Sequence, residues 1–166
     1  MSERVLYLLL TDAGPAKHID VMINFALDDG WSVRCIASPA AVEHFLDLDN
    51  LERLTGQPVR TGHRRPGQPD LPPADAAIVA PGTYNTINKW AAGIADTYVT
   101  VCLAGLTGMG VRMVLLPFVN QGLANNRPFL RSIDELSAMG VRVLLCPGES
   151  EPHPPRQGPK IMDTYP

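Results

Sequence analysis

The chain has little that would tie it to nucleic acid, to a membrane or to a metal. Its 14 Lys and Arg against 17 Asp and Glu leave a net charge of −3, so no basic field exists to draw a polyanion. Aromatic residues make up 6% of the chain, and no basic patch interleaves with them. No apolar run reaches the length of a membrane span, since each is strand-sized and ends at Gly, Pro or a charge. The opening MSERVLYLLLTD carries one Arg and a short apolar run without a small-residue cleavage site, and reads as a first strand rather than a leader. The three cysteines, Cys35, Cys102 and Cys146, are far apart and show neither CxxC nor Cys/His ligand spacing. They predict no metal site and no disulfide framework, hence a reduced, cytoplasmic protein.

What is present is an alternation. Val5–Leu10 is a continuous apolar run, as in a strand covered on both faces. Ile19–Asp29 has helical spacing and stops at Gly30, and Ser32–Ala37 is a second strand closed by Ser38-Pro39. Ala40–Leu46 and Leu51–Gly56 read as short helices, with Pro58–Arg60 as a short edge strand. The Pro-, Gly- and charge-rich stretch His63–Pro73 is a surface loop. Ala76–Ala80 is a buried strand, and Asn85–Leu106 is one long helix whose Ala91, Ala92, Gly93 and Ala95 permit close packing. Arg112–Leu116, Pro128–Met139 and Arg142–Leu145 complete the series as strand, helix and strand. Met109, Met113 and Met139 read as core, as does Cys146.

This order predicts an α/β fold, a doubly wound parallel sheet with helices on both faces in three α/β/α layers. Residues 1–150 form the domain. Residues 151–166 are a Pro-rich tail, too poor in core residues to pack as an element and suited to order against a neighbouring subunit. Ligands of such sheets lie beyond the carboxyl ends of the strands, which singles out Thr11–Ala16, Ser38–Ala41, Pro81–Thr86 and Pro117–Asn126. In Pro81-Gly82-Thr83-Tyr84-Asn85-Thr86, a buried strand runs into a hydroxyl- and amide-rich turn that opens a helix. Free N–H groups and a positive helix end favour an anion there, and a simple helix cap explains the same residues about equally well.

The segment Ala80–Ile87, with Lys89 and Gly93-Ile94-Ala95-Asp96 behind it, resembles the PASANT signature and following helix of the homo-oligomeric flavin-containing cysteine decarboxylases. That family includes phosphopantothenoylcysteine decarboxylase and the lantibiotic peptide decarboxylases. Leu116-Pro117-Phe118-Val119-Asn120 resembles its PAMN motif, and Ala37-Ser38-Pro39-Ala40-Ala41 its hydroxyl-bearing turn after the second strand. The resemblance implies a flavodoxin-like fold, bound FMN, and a homotrimer or a multiple of one with FMN sites between subunits. It implies contacts to FMN from Ser38, Pro81, Thr83, Asn85 and Thr86, with the backbone of Ala13 and Gly14 at the phosphate. Asn120 would reach the carboxyl end of a small-molecule or peptide thiol. The implied reaction is oxidative decarboxylation of a cysteine-type thiol.

Three departures qualify that picture. Asp12-Ala13 stands where the family has a phosphate-binding Gly-Ser turn, and Tyr84 replaces a small residue. The family's histidine before the strand leading to PASANT falls at Gly67 or Gln68. His63 is the nearest candidate, and His18, His44 and His153 have no motif support. Flavin loops without that histidine also fit a non-catalytic flavin-binding or regulatory subunit.

Overall fold

A computed structural model describes residues 3–145 and 151–158. Cys146, expected in the core, lies outside the described residues. Five strands form one all-parallel sheet: β1 (Arg4–Leu10), β2 (Trp31–Ala37), β3 (Ala76–Gly82), β4 (Arg112–Pro117) and β5 (Arg142–Val143), in the order β2-β1-β3-β4-β5. That order, with the switch point between β1 and β3, is the flavodoxin-like arrangement. The helices are α1 (Ile19–Asp28), α2 (Pro39–His44), α3 (Leu48–Thr55), α4 (Tyr84–Ala91), α5 (Tyr98–Gly108), α6 (Gln121–Ala124) and α7 (Arg127–Ala138), with a 3-10 turn at Gly14–His18.

Strand alternation sends Leu9, Val79 and Leu115 to one face, where they meet Ile87, Leu103, Phe129 and Leu136 from α4, α5 and α7. Leu8, Leu10, Val33 and Cys35 face the other way, towards Ile19 and Ile23 of α1 and Leu51 of α3. Burial pushes the Cys35 thiol up to about 12, which keeps it protonated and unreactive. Asp75 ties the leading ends of β1 and β3 together. Its carboxylate accepts from Val5 N at 2.7 Å, and its N–H donates to Val5 O at 2.9 Å.

The structure corrects several expectations. The single helix Asn85–Leu106 is two helices, because Gly93 takes a left-handed φ of 71°. The N–H of Ile94 then closes on Lys89 O at 2.8 Å, a Schellman stop. Thr97 and Thr100 cap the next helix reciprocally. The small residues Ala92, Gly93 and Ala95 accordingly sit exposed in the connection rather than in a packed face. Met109 is 72% exposed and Met139 39%, since both fall at helix C-caps beyond the buried stripe, whereas Met113 is buried. The expected strand at Pro58–Arg60 reduces to one parallel bridge between Arg60 and Ile36, and β5 is shorter than predicted, at Arg142–Val143.

The tail differs most. His153 forms a parallel bridge with Asn120 of its own chain. The prolines on either side make this possible: Pro154 confines His153 to extended backbone, and His153 supplies the N–H that Pro152 and Pro154 lack.

Candidate functional site

The loops after β1, β2, β3 and β4 meet at the carboxyl edge of the sheet, and a buried threonine joins two of them. Thr11, 1% exposed, donates its hydroxyl to Pro81 O at 2.6 Å and accepts from Thr83 N at 3.1 Å. Sequence reasoning placed Thr11 inside a ligand loop without assigning it this clamp. A Cβ on Gly82 would collide with the buried Leu115 Cδ1, so a larger residue there would have to displace that side chain where β3 runs beside β4. The next bond, from Phe118 N to Gly82 O at 2.9 Å, sets the turn after β4 directly beside the turn after β3.

Each predicted residue can be placed on this edge. Thr83 is the N-cap of α4: its Oγ1 accepts from Thr86 N at 3.3 Å and lies 3.0 Å from Thr86 Oγ1. Pro81 is buried at the end of β3. The Asn85 side chain is exposed, has no hydrogen-bond partner among the described residues, and lines the groove between α4 and α7 with Asn88, Arg131 and Ser132. Tyr84 stacks on Phe129 with ring centroids 6.0 Å apart, so it packs against α7. Ser38 caps α2 by accepting from Ala41 N at 3.2 Å. In the loop after β1, Ala13 N donates to Thr11 O, while the N–H groups of Asp12 and Gly14 meet no acceptor among the described residues.

Asp12 does not leave a bare negative charge at this edge. His44 Nδ1, in the last turn of α2, lies 2.9 Å from Asp12 Oδ1. That hydrogen bond, reinforced by the carboxylate's charge, holds the His44 pKa above its ordinary value. No motif pointed to His44, and the pairing of loops that creates the contact is a tertiary fact.

Asn120 spends one of its two polar atoms. Oδ1 accepts from Leu123 N at 3.0 Å as the cap of α6, and Nδ2 has no partner among the described residues. His63 is not brought to this turn. Its ring meets Tyr98 of α5 edge-on at 5.1 Å, and no hydrogen bond or ring contact joins it to Asn120 or to Thr83–Thr86 among the described residues. Behind it Cys102 is held protonated, its pKa raised by burial.

An all-parallel sheet in this order, with hydroxyls, an uncommitted carboxamide and open N–H groups at its carboxyl edge, defines a flavodoxin-like α/β protein. Solved structures agree in fold. The FMN-dependent cysteine decarboxylase SpaF superposes with a TM-score of 0.73 at 20% identity, over 86% of this chain and 83% of its own. Epidermin biosynthesis protein EpiD from Staphylococcus aureus gives 0.66 at 23% identity, over 84% of this chain and 81% of its own. The FMN-binding protein AtHal3 gives 0.70 at 19% identity, over 98% of this chain and 95% of its own. No curated protein matches the chain by sequence. Residues 2–158 match the Flavoprotein family, and the chain belongs to it.

The donor set suits a flavin mononucleotide. Neutral hydroxyls and amides predominate, the acidic residue at the edge is paired with a histidine, and the N–H groups of Asp12 and Gly14 have no acceptor among the described residues and are of the kind a phosphate accepts from.

Proposed function

We propose that this chain binds FMN and catalyses the oxidative decarboxylation of a cysteine-type thiol, a peptide ending in cysteine or a phosphopantothenoylcysteine-like molecule. The observation that carries the reading is the adjacency of two turns. The Phe118 N to Gly82 O bond holds Asn120, with Nδ2 uncommitted, beside the Thr83–Thr86 turn. Ser38, Pro81, Thr83, Asn85 and Thr86 hold the flavin, and the N–H groups around Ala13 and Gly14 receive the phosphate. Asn120 Nδ2 donates to the substrate's carboxylate and so orients the thiol end towards the flavin. Bound FMN supplies a two-electron acceptor for the carbon–sulfur unit of such a substrate. SpaF and EpiD, both similar in fold, are cysteine decarboxylases, and their likeness supports this chemistry.

The active form is a homotrimer or a multiple of one, working in the cytoplasm. Support comes from the sheet face opposite α4, α5 and α7, where Met22, Phe25, Trp31, Ile78 and Val114 line an open apolar groove of about 420 Å³. Residues 1–150 are the flavoprotein domain, and residues 151–166 are an appendage to it.

A second reading, a flavin-binding subunit without catalysis, is favoured by the position of His63 away from the Asn120 turn. The two readings part in one assay. Cysteine-terminated peptides and phosphopantothenoylcysteine are offered to the FMN-loaded protein, and loss of carbon dioxide is followed by mass. Turnover that Asn120→Ala abolishes and His63→Ala spares supports the decarboxylase without a proton role for His63. Loss of turnover in His63→Ala with FMN retained assigns that role to His63 instead. No turnover on either substrate with FMN bound favours the carrier.

A further inference from the structure

We infer that the Asp12–His44 pair sets this chain's preference for a phosphorylated flavin over an unphosphorylated one. The protonated ring of His44 cancels the Asp12 carboxylate, and the loop after β1 then receives a phosphate without repelling it. The inference rests on the reading of that loop as the seat of the FMN phosphate given above.

The loop carries opposed signals. Its main chain suits an anion: Thr11 is clamped to Pro81 O and Thr83 N, and the N–H groups of Asp12 and Gly14 meet no acceptor among the described residues. Yet Asp12 puts a carboxylate on the same residue as one of those donors. Covalent geometry keeps that carboxylate within roughly 4–8 Å of a phosphate bound at the Asp12 N–H. A phosphate monoester carries about −1.5 to −2 charges at pH 7, so a bare carboxylate at that range opposes it.

The compensating charge comes from a different element. Ser38 N donates to Leu10 O at 2.9 Å, and Ser38 Oγ caps α2, so α2 starts at a fixed place beside the end of β1. Its last turn brings His44 Nδ1 to 2.9 Å from Asp12 Oδ1. The charged groups acting on the ring are Asp12, across from it, and Glu43, beside it on α2. Both are acidic and both favour the imidazolium, so the His44 pKa is raised, with the Asp12 hydrogen bond as the main cause. The ring is about half exposed, so its proton exchanges freely with water.

With His44 charged, the pair is neutral and the open N–H groups dominate the loop. With His44 neutral, the pair carries one negative charge next to the phosphate. A raised folded pKa keeps the pair neutral up to and beyond the ordinary histidine value of about 6.5, and the compensation is lost as pH rises through the folded value. Affinity for FMN falls over that range, whereas riboflavin, which has no phosphate, does not respond. Linkage requires the converse: bound phosphate favours the charged ring and lifts the His44 midpoint further. No covalent bond changes, and one proton passes between ring and water.

The full-length protein, dialysed free of flavin, is titrated with FMN and with riboflavin at pH 7 and pH 9, and quenching of flavin fluorescence gives the ratio of the two affinities. The phosphate, with a second pKa of about 6, is largely dianionic at both pH values. The ratio is expected to fall about 3- to 30-fold from pH 7 to pH 9 in wild type, the scale of one unit charge near a phosphate in water. Asp12→Asn is expected to hold the higher ratio at both pH values, and His44→Gln the lower one. Asp12→Asn combined with His44→Gln is expected to restore the higher ratio, because with the acid gone there is nothing to cancel. Proton NMR is expected to show the His44 midpoint rising on addition of FMN and not of riboflavin. A ratio that neither pH nor His44→Gln changes overturns the inference and leaves FMN binding standing, and so does a double variant that stays at the lower ratio. Protein that binds neither flavin at either pH overturns the FMN reading itself, and the inference with it.

Discussion

On one face of the sheet, α4, α5 and α7 bury Leu9, Val79, Leu103, Leu115, Phe129 and Leu136 to 1% exposure or less. On the other, α1 and α3 lie over β2 and β1, while Ile78 and Val114 on the central strands remain half-buried beside Phe25 at 71% exposure. The first face is complete within one chain. The second presents apolar surface of the sort that marks an interaction site. Phe118 and Asn120 continue the parity of Val114 and Leu116 along β4, so the turn that carries Asn120 opens on the unfinished side. A closed face that supplies rigidity and an open face that supplies a site and a neighbour is the division of labour this fold suggests.

Substitution on each face sharpens that contrast. Phe129→Ala, at 1% exposure, is expected to cost about 3–5 kcal/mol in chemical denaturation, as a large cavity in a complete core. Ile78→Asp is expected to leave the monomer folded and to break the oligomer, read by light scattering. A variant that unfolds outright instead would show that Ile78 belongs to a closed core after all.

The clamp between loops comes next in size. Thr11→Val keeps the shape of the buried residue and removes its bonds to Pro81 O and Thr83 N. Leaving those two groups unpaired is expected to cost about 1–3 kcal/mol and to loosen the flavin turn. A destabilisation no larger than that of Thr61→Val, at an exposed loop position, would deny Thr11 its role.

The smallest effect belongs to the His44–Asp12 pair, which is exposed. Because the folded pKa of His44 is raised by its bond to Asp12, the pair's stabilisation is present in full below the ordinary histidine pKa of about 6.5. It is lost as pH rises through the folded value. Proton NMR titration of His44 is expected to give a midpoint above the ordinary histidine value of about 6.5, with Asp12→Asn bringing it back down. A His44 midpoint that Asp12→Asn does not move would remove the pair from the account.

Much of this was legible in the sequence, and the failures have physical causes. Apolar runs closed by Gly or Pro located β1, β3 and β4 to within a residue or two, because strands buried on both faces must be continuously apolar. The Thr83–Thr86 turn was readable because strand end, cap and helix start all fall within one short segment. The break after α4 was written in Gly93 and in the Thr97–Thr100 cap, but apolar spacing on either side masked it. Thr11, His44 and His153 were not legible, since each acts through a partner at least 32 residues away in sequence. Pro density after residue 150 concealed that one residue between two prolines is well suited to a single bridge.

The most direct test of the central claim is the cofactor itself. Protein purified without added flavin, or titrated with FMN, is expected to show a flavin absorption spectrum and to release FMN on denaturation. Asn85→Ala is expected to weaken that binding by about 1 kcal/mol, one hydrogen bond's worth. Colourless protein that takes up no FMN on titration would contradict the account.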